Sequence, residues 1–143
     1  MSFLFFLLLK MKLGTLRYML IRTYDEIAPS DTKPVTDTAI DGDKYSFAVD
    51  GIIIHADEVT NKHLLLLDFS LLNKAGEVTL LKGFPYSLRG TRYNDKYIPV
   101  KKDTDYPILE KNCSMSIKLT NSDSSNSVYR VAYAVLGYPI ISP

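Results

Sequence analysis

Apolar and polar residues alternate strictly in the last third of the chain. Met115, Ile117 and Leu119 fall on one side of the stretch Ser114–Thr120, and Ser116, Lys118 and Thr120 on the other. A period of two puts alternate side chains on opposite faces of an extended strand, whereas a helix groups residues three and four apart. Val128 to Tyr138 repeats the pattern, with Tyr129, Val131, Tyr133 and Val135 pointing one way and Arg130, Ala132 and Ala134 the other. Between the two lies Asn121–Ser127, which reads NSDSSNS and holds no apolar residue. Two alternating strands around a polar tip predict a β-hairpin.

The same signal runs back to Lys44. Tyr45, Phe47 and Val49 alternate with Ser46, Ala48 and Asp50; Gly51 interrupts them, and Ile52–Ile54 resumes. His63–Leu72 places Leu65, Leu67, Phe69 and Leu71 on one face and Leu64, Leu66, Asp68 and Ser70 on the other. Leucine is also a strong helix former, so a helix competes for this stretch. Asn73-Lys74-Ala75-Gly76 is a turn ending in glycine, and Glu77–Lys82 is its partner strand. Gly83, Pro85, Gly90 and Asn94-Asp95 mark an irregular region. Tyr97–Val100 and Tyr106–Leu109 are short, and Pro99 and Pro107 confine them to edges or bends. No amphipathic helix is legible after Lys44, and no internal repeat. Strands recurring every 8–12 residues or so, with turns between them, indicate an antiparallel sandwich or barrel.

From Ile108 to Ile140 the chain resembles the closing strands of small jelly-roll structural proteins of tailed-phage virions. The resemblance is carried by the approach Tyr106-Pro107-Ile108-Leu109, the strand Ser114–Thr120, the tip Asn121–Ser127, and Val128–Gly137 running into Leu136-Gly137-Tyr138. It covers about a quarter of the chain and brings no site residues with it. It implies an all-β, antiparallel, jelly-roll-like β-sandwich with an N-terminal arm, working as a capsid-decoration, head-fibre or tail-attachment subunit.

A chain of 143 residues is expected to form one domain with a real core, needing no disulfide or metal to staple it. Cys113 is its one cysteine, so no intrachain disulfide can form. The formal net charge of +1 argues against the broad basic footprint of a nucleic-acid partner. Phe3–Leu9 is an unbroken apolar run followed by Lys10, Met11 and Lys12. A transmembrane helix needs about 20 apolar residues, and a secretory signal has basic residues before the run and a small-residue cleavage site after it; neither pattern is present. Three readings stay open: an arm docked on a partner, a first strand or helix of the domain, or an extension before a start at Met11 or Met19 (or an atypical membrane signal). Thr23–Lys44 holds Pro29, Pro34 and Gly42 without a sustained apolar period and reads as a long loop or linker. The expected organisation is an arm and linker over residues 1–43 and a sandwich over 44–143.

Catalytic and metal signatures are weak. His55 and His63, with Asp57 and Glu58 between them, match no compact ligand spacing, and a polar turn accounts for them. Asp41-Gly42-Asp43 offers oxygen ligands but lacks the remainder of a calcium loop. Cys113 precedes a strand with no histidine nearby in sequence, and no Gly-x-Ser-x-Gly elbow or phosphate-binding glycine loop occurs. Paired carboxylates facing across a cleft are not readable from sequence. No cofactor, metal or enzymatic activity is expected.

The segment Phe84–Asp95 mixes aromatics with two arginines among turn residues. Tyrosine and arginine dominate interface hot spots, which makes Phe84, Tyr86, Arg89, Arg92 and Tyr93 the candidate interface. Two other readings compete: the aromatics plug the end of the sandwich beneath solvated arginines, or the set stacks on sugars or bases. The functional expectation is a non-enzymatic virion structural protein that assembles through protein–protein contacts, as a homo-oligomer and with other virion proteins. It would reside in the virion, and in the host cytoplasm during assembly. The alternative is a carbohydrate- or receptor-binding module of the same fold.

Overall fold

The computed structural model describes residues 11–57, 64–87, 95–103 and 105–142, with the backbone alone for Leu64, Tyr86, Ser87, Asp95 and Ser142. The strands are β1 (Lys12–Leu13), β2 (Arg17–Ile27), β3 (Thr32–Thr38), β4 (Phe47–His55), β5 (Leu64–Asn73), β6 (Gly76–Ser87), β7 (Asp95–Pro99), β8 (Ile108–Leu109), β9 (Ser114–Asn121) and β10 (Val128–Ser142). One sheet runs β2-β10-β4-β7, with β1 beside the end of β10 and β8 beside the start of β4; the other runs β3-β9-β5-β6. All pairings are antiparallel.

The pairing is nested. β5 meets β6, β4 meets β7, β3 meets β9, and β2 meets β10, so one long double ribbon winds around the core. Successive arms of the ribbon alternate between the sheets, which is the winding of a jelly roll. At its centre the tight β5–β6 turn sets Asn73 opposite Gly76, and Gly76 adopts a φ of 132°. Only a residue without Cβ takes that conformation readily.

The inward faces of the two sheets form one buried layer. Leu65, Leu67, Phe69 and Leu71 of β5 are fully buried, as are Met115 and Leu119 of β9, with Ile117 at 1% exposure. Opposite them lie Phe47, Val49, Ile52 and Ile54 of β4, and Val131, Tyr133 and Val135 of β10. The alternation read from the sequence therefore sets which face is covered, and the strand reading of His63–Leu72 prevails over the helix for the described part, Leu64–Asn73. Each such side chain contributes about 1.5–3 kcal/mol relative to exposure.

Three expectations are corrected. First, Ser114–Asn121 and Val128–Ser142 do not pair as a hairpin; β9 lies in one sheet and β10 in the other. The polar tip is a crossover between sheets, held by the fully buried Asn121. Its side-chain amide donates to the carbonyls of Asn126 at 2.8 Å and Ile27 at 3.1 Å, and its side-chain oxygen accepts from the Asp123 amide at 3.0 Å. A polar residue buried there is held by the turn and by the end of β2, where a hairpin would leave it exposed.

Second, residues 23–44 are not a linker, and the boundary at Asp43 separates nothing among the described residues. β2 and β3 are full members of the two sheets, with Met19, Leu20 and Ile27 buried in the common core. Their alternation was hidden for two reasons. A register shift in the β2–β10 ladder between Val135 and Leu136 lets consecutive residues Met19 and Leu20 both be covered. And β3 is an edge strand, where only Val35 packs on the core. The apolar run Phe3–Leu9 lies outside the described residues.

Third, Tyr129 does not share the buried face of Val131 and Tyr133 but is 45% exposed. Arg130 sits at a φ of 49°, which breaks the alternation between them.

Core truncation follows directly. Phe69→Ala is expected to lower unfolding free energy by about 3–5 kcal/mol in denaturant titration. Tyr133 is different, because its buried hydroxyl has no well-formed hydrogen bond among the described residues and has Tyr24 beside it. Tyr133→Phe removes only the desolvated group and should leave stability unchanged or raise it by about 1 kcal/mol; a loss of more than about 1 kcal/mol would show that the hydroxyl is satisfied in solution.

Candidate functional site

The two outer faces of the sandwich differ in chemistry. On the β3-β9-β5-β6 sheet, Thr36, Ser116, Ser70 and Thr79 stand in register across four strands. Thr32 and Thr120 exchange a hydroxyl hydrogen bond at 3.0 Å, and Lys118 stands opposite Asp68. Its centre is the polar, solvated kind that antiparallel sheets normally show to water, with Leu66 and Leu72 half-buried on the same face.

The outer face of the other sheet carries Ile21, Ala134, Ile53 and Tyr97 in register across β2, β10, β4 and β7. At about 4.8 Å per strand the row is about 14 Å long. Ile21 is 47% exposed, Tyr97 43% and the neighbouring Tyr18 54%. Ala132 and Ala134 form the floor of a groove of about 260 Å³ walled by Tyr18 and Ile21 on one side and Ile53 and His55 on the other. Scattered apolar residues are ordinary on surfaces; a contiguous row across four strands is less so.

A bulge in β4 ends this row. Leu136 pairs with Gly51 and Gly137 with Val49, leaving Asp50 as the extra residue. Gly51 is required because the Tyr97 ring lies across it: an added Cβ would stand 2.6 Å from both Tyr97 Cε2 and the Ile98 carbonyl oxygen. Spanning the glycine brings the Tyr97 hydroxyl onto Asp50, to whose carboxylate it donates. The carboxylate is 6% exposed as a residue, and Lys101 Nζ reaches it at 3.4 Å while lying over the Tyr106 ring. Tyr106 stacks edge-on against Tyr138, centroids 5.7 Å apart. Burial, and then the hydrogen bond to Asp50, push the Tyr97 hydroxyl above the ordinary tyrosine value. The Asp50 hydrogen bond likewise raises Lys101. Both carboxylate oxygens are occupied, so the cluster ties down the bulge and offers no free base or ligand.

The expected interface residues are only partly described. Phe84 is partly buried against the core, the side chain of Tyr86 is not described, and Arg89, Arg92 and Tyr93 lie outside the described residues. His63 and Glu58 lie outside them as well; His55 Nε2 stands 3.8 Å from Asp57, which pairs with Arg130. Asp41 forms a turn with Lys44 and an ion pair with Arg17 at 3.1 Å. Cys113 is buried. Among the described residues no group of three or more His, Cys, Asp or Glu side chains is placed to hold a metal, and no helix is long and apolar enough to cross a membrane. The apolar row was missed by sequence reading, although Ala132 and Ala134 were assigned correctly to the face opposite Val131 and Tyr133. Recognising it required knowing that Ile21 and Ile53 flank β10 on either side.

No protein-family model matches the chain, and no curated protein matches it. Solved structures do align with it. T=1 particles derived from infectious bursal virus align at 15% identity over 84% of this chain and 31% of that one, with a TM-score of 0.40. The infectious bursal disease virus VP2 subviral particle aligns at 13% over 84% and 33%, with a TM-score of 0.38. The structure of the Gx strain of that virus aligns at 12% over 87% and 39%, with a TM-score of 0.34. The chain thus spans about a third of the length of these structures.

The cluster at the bulge, together with Tyr133 in the core, makes a measurable prediction. Tyr97, Tyr133 and Lys101 all have folded pKa values raised above ordinary values of 10.0, 10.0 and 10.5. Their contribution is fully present below the unfolded values and is lost as pH rises through the folded ones. Urea midpoints are therefore expected to hold near pH 8 and fall steeply above about pH 10. Tyr97→Phe should flatten that fall; an unchanged slope would remove Tyr97 from the account.

Proposed function

We propose that this chain is a non-enzymatic structural subunit of a virion, working by protein–protein assembly with copies of itself and with other virion proteins. The observation that carries the assembly reading is the apolar row Ile21–Ala134–Ile53–Tyr97 on a sheet face that would otherwise be polar. The virion assignment is supported by the jelly-roll winding together with the resemblance of Ile108–Ile140 to small virion proteins. Virion residence, with passage through the host cytoplasm during assembly, follows from that reading.

Edges support a face-on contact. The edge strands β3, β6 and β7 carry Pro34, Pro85 and Pro99 respectively. Proline removes a backbone donor and discourages strand-on-strand addition. The β2 edge carries Arg22, Asp25 and Glu26, with Arg22 paired to Asp37 at 2.5 Å. Assembly by open-edge pairing is thereby disfavoured at each side, and the apolar face remains. Phe84, Tyr86, Arg89, Arg92 and Tyr93 form the second contact in this reading, on the strength of their composition.

The test is concentration. Self-association linked to folding makes the apparent melting temperature rise with protein concentration, and closed rotational symmetry is the expected form of the oligomer. A sedimenting monomer at every concentration, with an invariant melting temperature, would remove the homo-oligomer. Reproducible glycan-array binding by that monomer would favour the carbohydrate-binding alternative instead.

A further inference from the structure

The groove on the apolar face has a shape as well as a chemistry. Its floor is Ala132 and Ala134 of β10, and its walls rise on β2 and β4, so it runs along the β10 axis. A furrow of that form accepts the side chains of an apolar segment laid lengthwise on the sheet.

The sequence contains such a segment. Phe3–Leu9 is seven apolar side chains without interruption. In water such a run is an aggregation hazard, and each side chain gains by being covered. The start of the described chain indicates which surface it can reach. β1 runs antiparallel to the end of β10, with Lys12 opposite Ser142 and Leu13 opposite Ile140. Traced toward its N-terminus, β1 therefore leads in the direction in which β10 runs toward its C-terminus, off the end of the sheet. The groove lies the other way, six positions back along β10 from Ile140 to Ala134, or about 20 Å at 3.3 Å per residue. To cover its own groove the segment would have to reverse at Lys10-Met11 and use its length retracing the strand. An extended stretch of ten residues covers about 33 Å, enough to reach another molecule.

We propose that Phe3–Leu9 of one copy seats in the groove formed by Tyr18, Ile21, Ala132, Ala134 and Ile53 of a second copy, so that the assembly is held by exchanged N-terminal segments. This rests on the assembly reading above and names the contact that performs it. The contact is heterologous, segment to groove. It closes as a reciprocal pair or a ring, depending on the angle at which the segment leaves β1.

The test uses full-length chains in which Cys113 is replaced by Ala. A Leu7→Cys chain and an Ile53→Cys chain, with different tags, are co-expressed and oxidised. A disulfide-linked heterodimer is expected, in about tenfold or greater excess over that formed by Leu7→Cys with Ser116→Cys, which sits on the polar face, because a seated segment raises the effective thiol concentration at the groove. Ala134→Arg, on the outer face and clear of the core, should weaken self-association about tenfold or more. Exclusive formation of an intramolecular disulfide in the Leu7→Cys/Ile53→Cys double variant would overturn the exchange and place the segment on its own sheet. Full-strength oligomers that survive Ala134→Arg, with no Leu7–Ile53 cross-link, would overturn the groove as the seat while leaving assembly intact. A chain without either cross-link that sediments as a monomer would overturn the assembly reading as well.

Discussion

The buried layer between the two sheets is the interaction on which everything else depends. The nested ribbon has no helix and no disulfide among the described residues to hold it. Its sheets stay together because alternate residues of β4, β5, β9 and β10 all turn toward one plane. The winding makes this cooperative. Each crossover commits the next strand to the opposite sheet, so a strand that lost its inward apolar set would leave its partner in the ribbon exposed too. Asn121 shows the polar side of the same constraint: where the chain passes between sheets, backbone carbonyls are removed from water, and a buried side-chain amide must satisfy them.

How much of this was legible depended on whether a strand's pattern was purely local. β5 carries leucines on both faces and so admitted a helix as well, whereas β9 read clearly because one face is fully covered and the other is Ser116, Lys118 and Thr120. β2 did not, because a register shift against β10 brings Met19 and Leu20 into the core together, and a two-residue apolar pair looks the same in a loop. β3 did not, because Thr32, Lys33, Pro34, Thr36, Asp37 and Thr38 leave Val35 as its single core contact, and an edge strand with one buried residue has the composition of a linker. The polar tip Asn121–Ser127 was legible as a turn but not as a crossover. Nothing local distinguishes a turn that brings a strand back beside its neighbour from one that sends it across a core about 10 Å thick. The extra residue Asp50 and the glycine beside it were visible as an interruption at Gly51, but only the structure shows the Tyr97 ring occupying the space a side chain would take.

The bulge bears on the exposed face as well as on the strand. At Asp50–Gly51 the β4 ladder shifts phase, which keeps Val49 and Ile52 both inward and turns Ile53 outward beside Ala134. Without that extra residue, the alternation set by Phe47 and Val49 would carry Ile53 into the core and Ile52 out. The bulge is thus what aligns Ile53 with Ala134 and Ile21. Backbone partners take up the positions at the irregularity, Val49 N–H donating to the Pro107 carbonyl at 2.8 Å and Val100 N–H to the Asp50 carbonyl at 3.0 Å, and Tyr97 and Lys101 tie down the Asp50 side chain. Bulges commonly re-aim side chains in this way near functional surfaces.

The contrast between the outer faces then acquires a direction. The Ser- and Thr-rich face of the β3-β9-β5-β6 sheet satisfies itself through hydroxyl pairs and tolerates water at no cost. The opposite face pays a hydration penalty across four strands, and proline or charge already discourages addition at the sheet edges. Covering that face would remove the penalty. β10 is the strand that links the two requirements. Its inward residues Val131, Tyr133 and Val135 close the core, its outward alanines make the groove, and its C-terminal end pairs with β1. Fold stability, the groove and the pairing of β1 are therefore features of one strand. Shifting β10 by a single residue against β2 and β4 would bury the alanines, expose Tyr133 and erase both the core and the groove. Core and apolar outer face thus stand or fall on the same register.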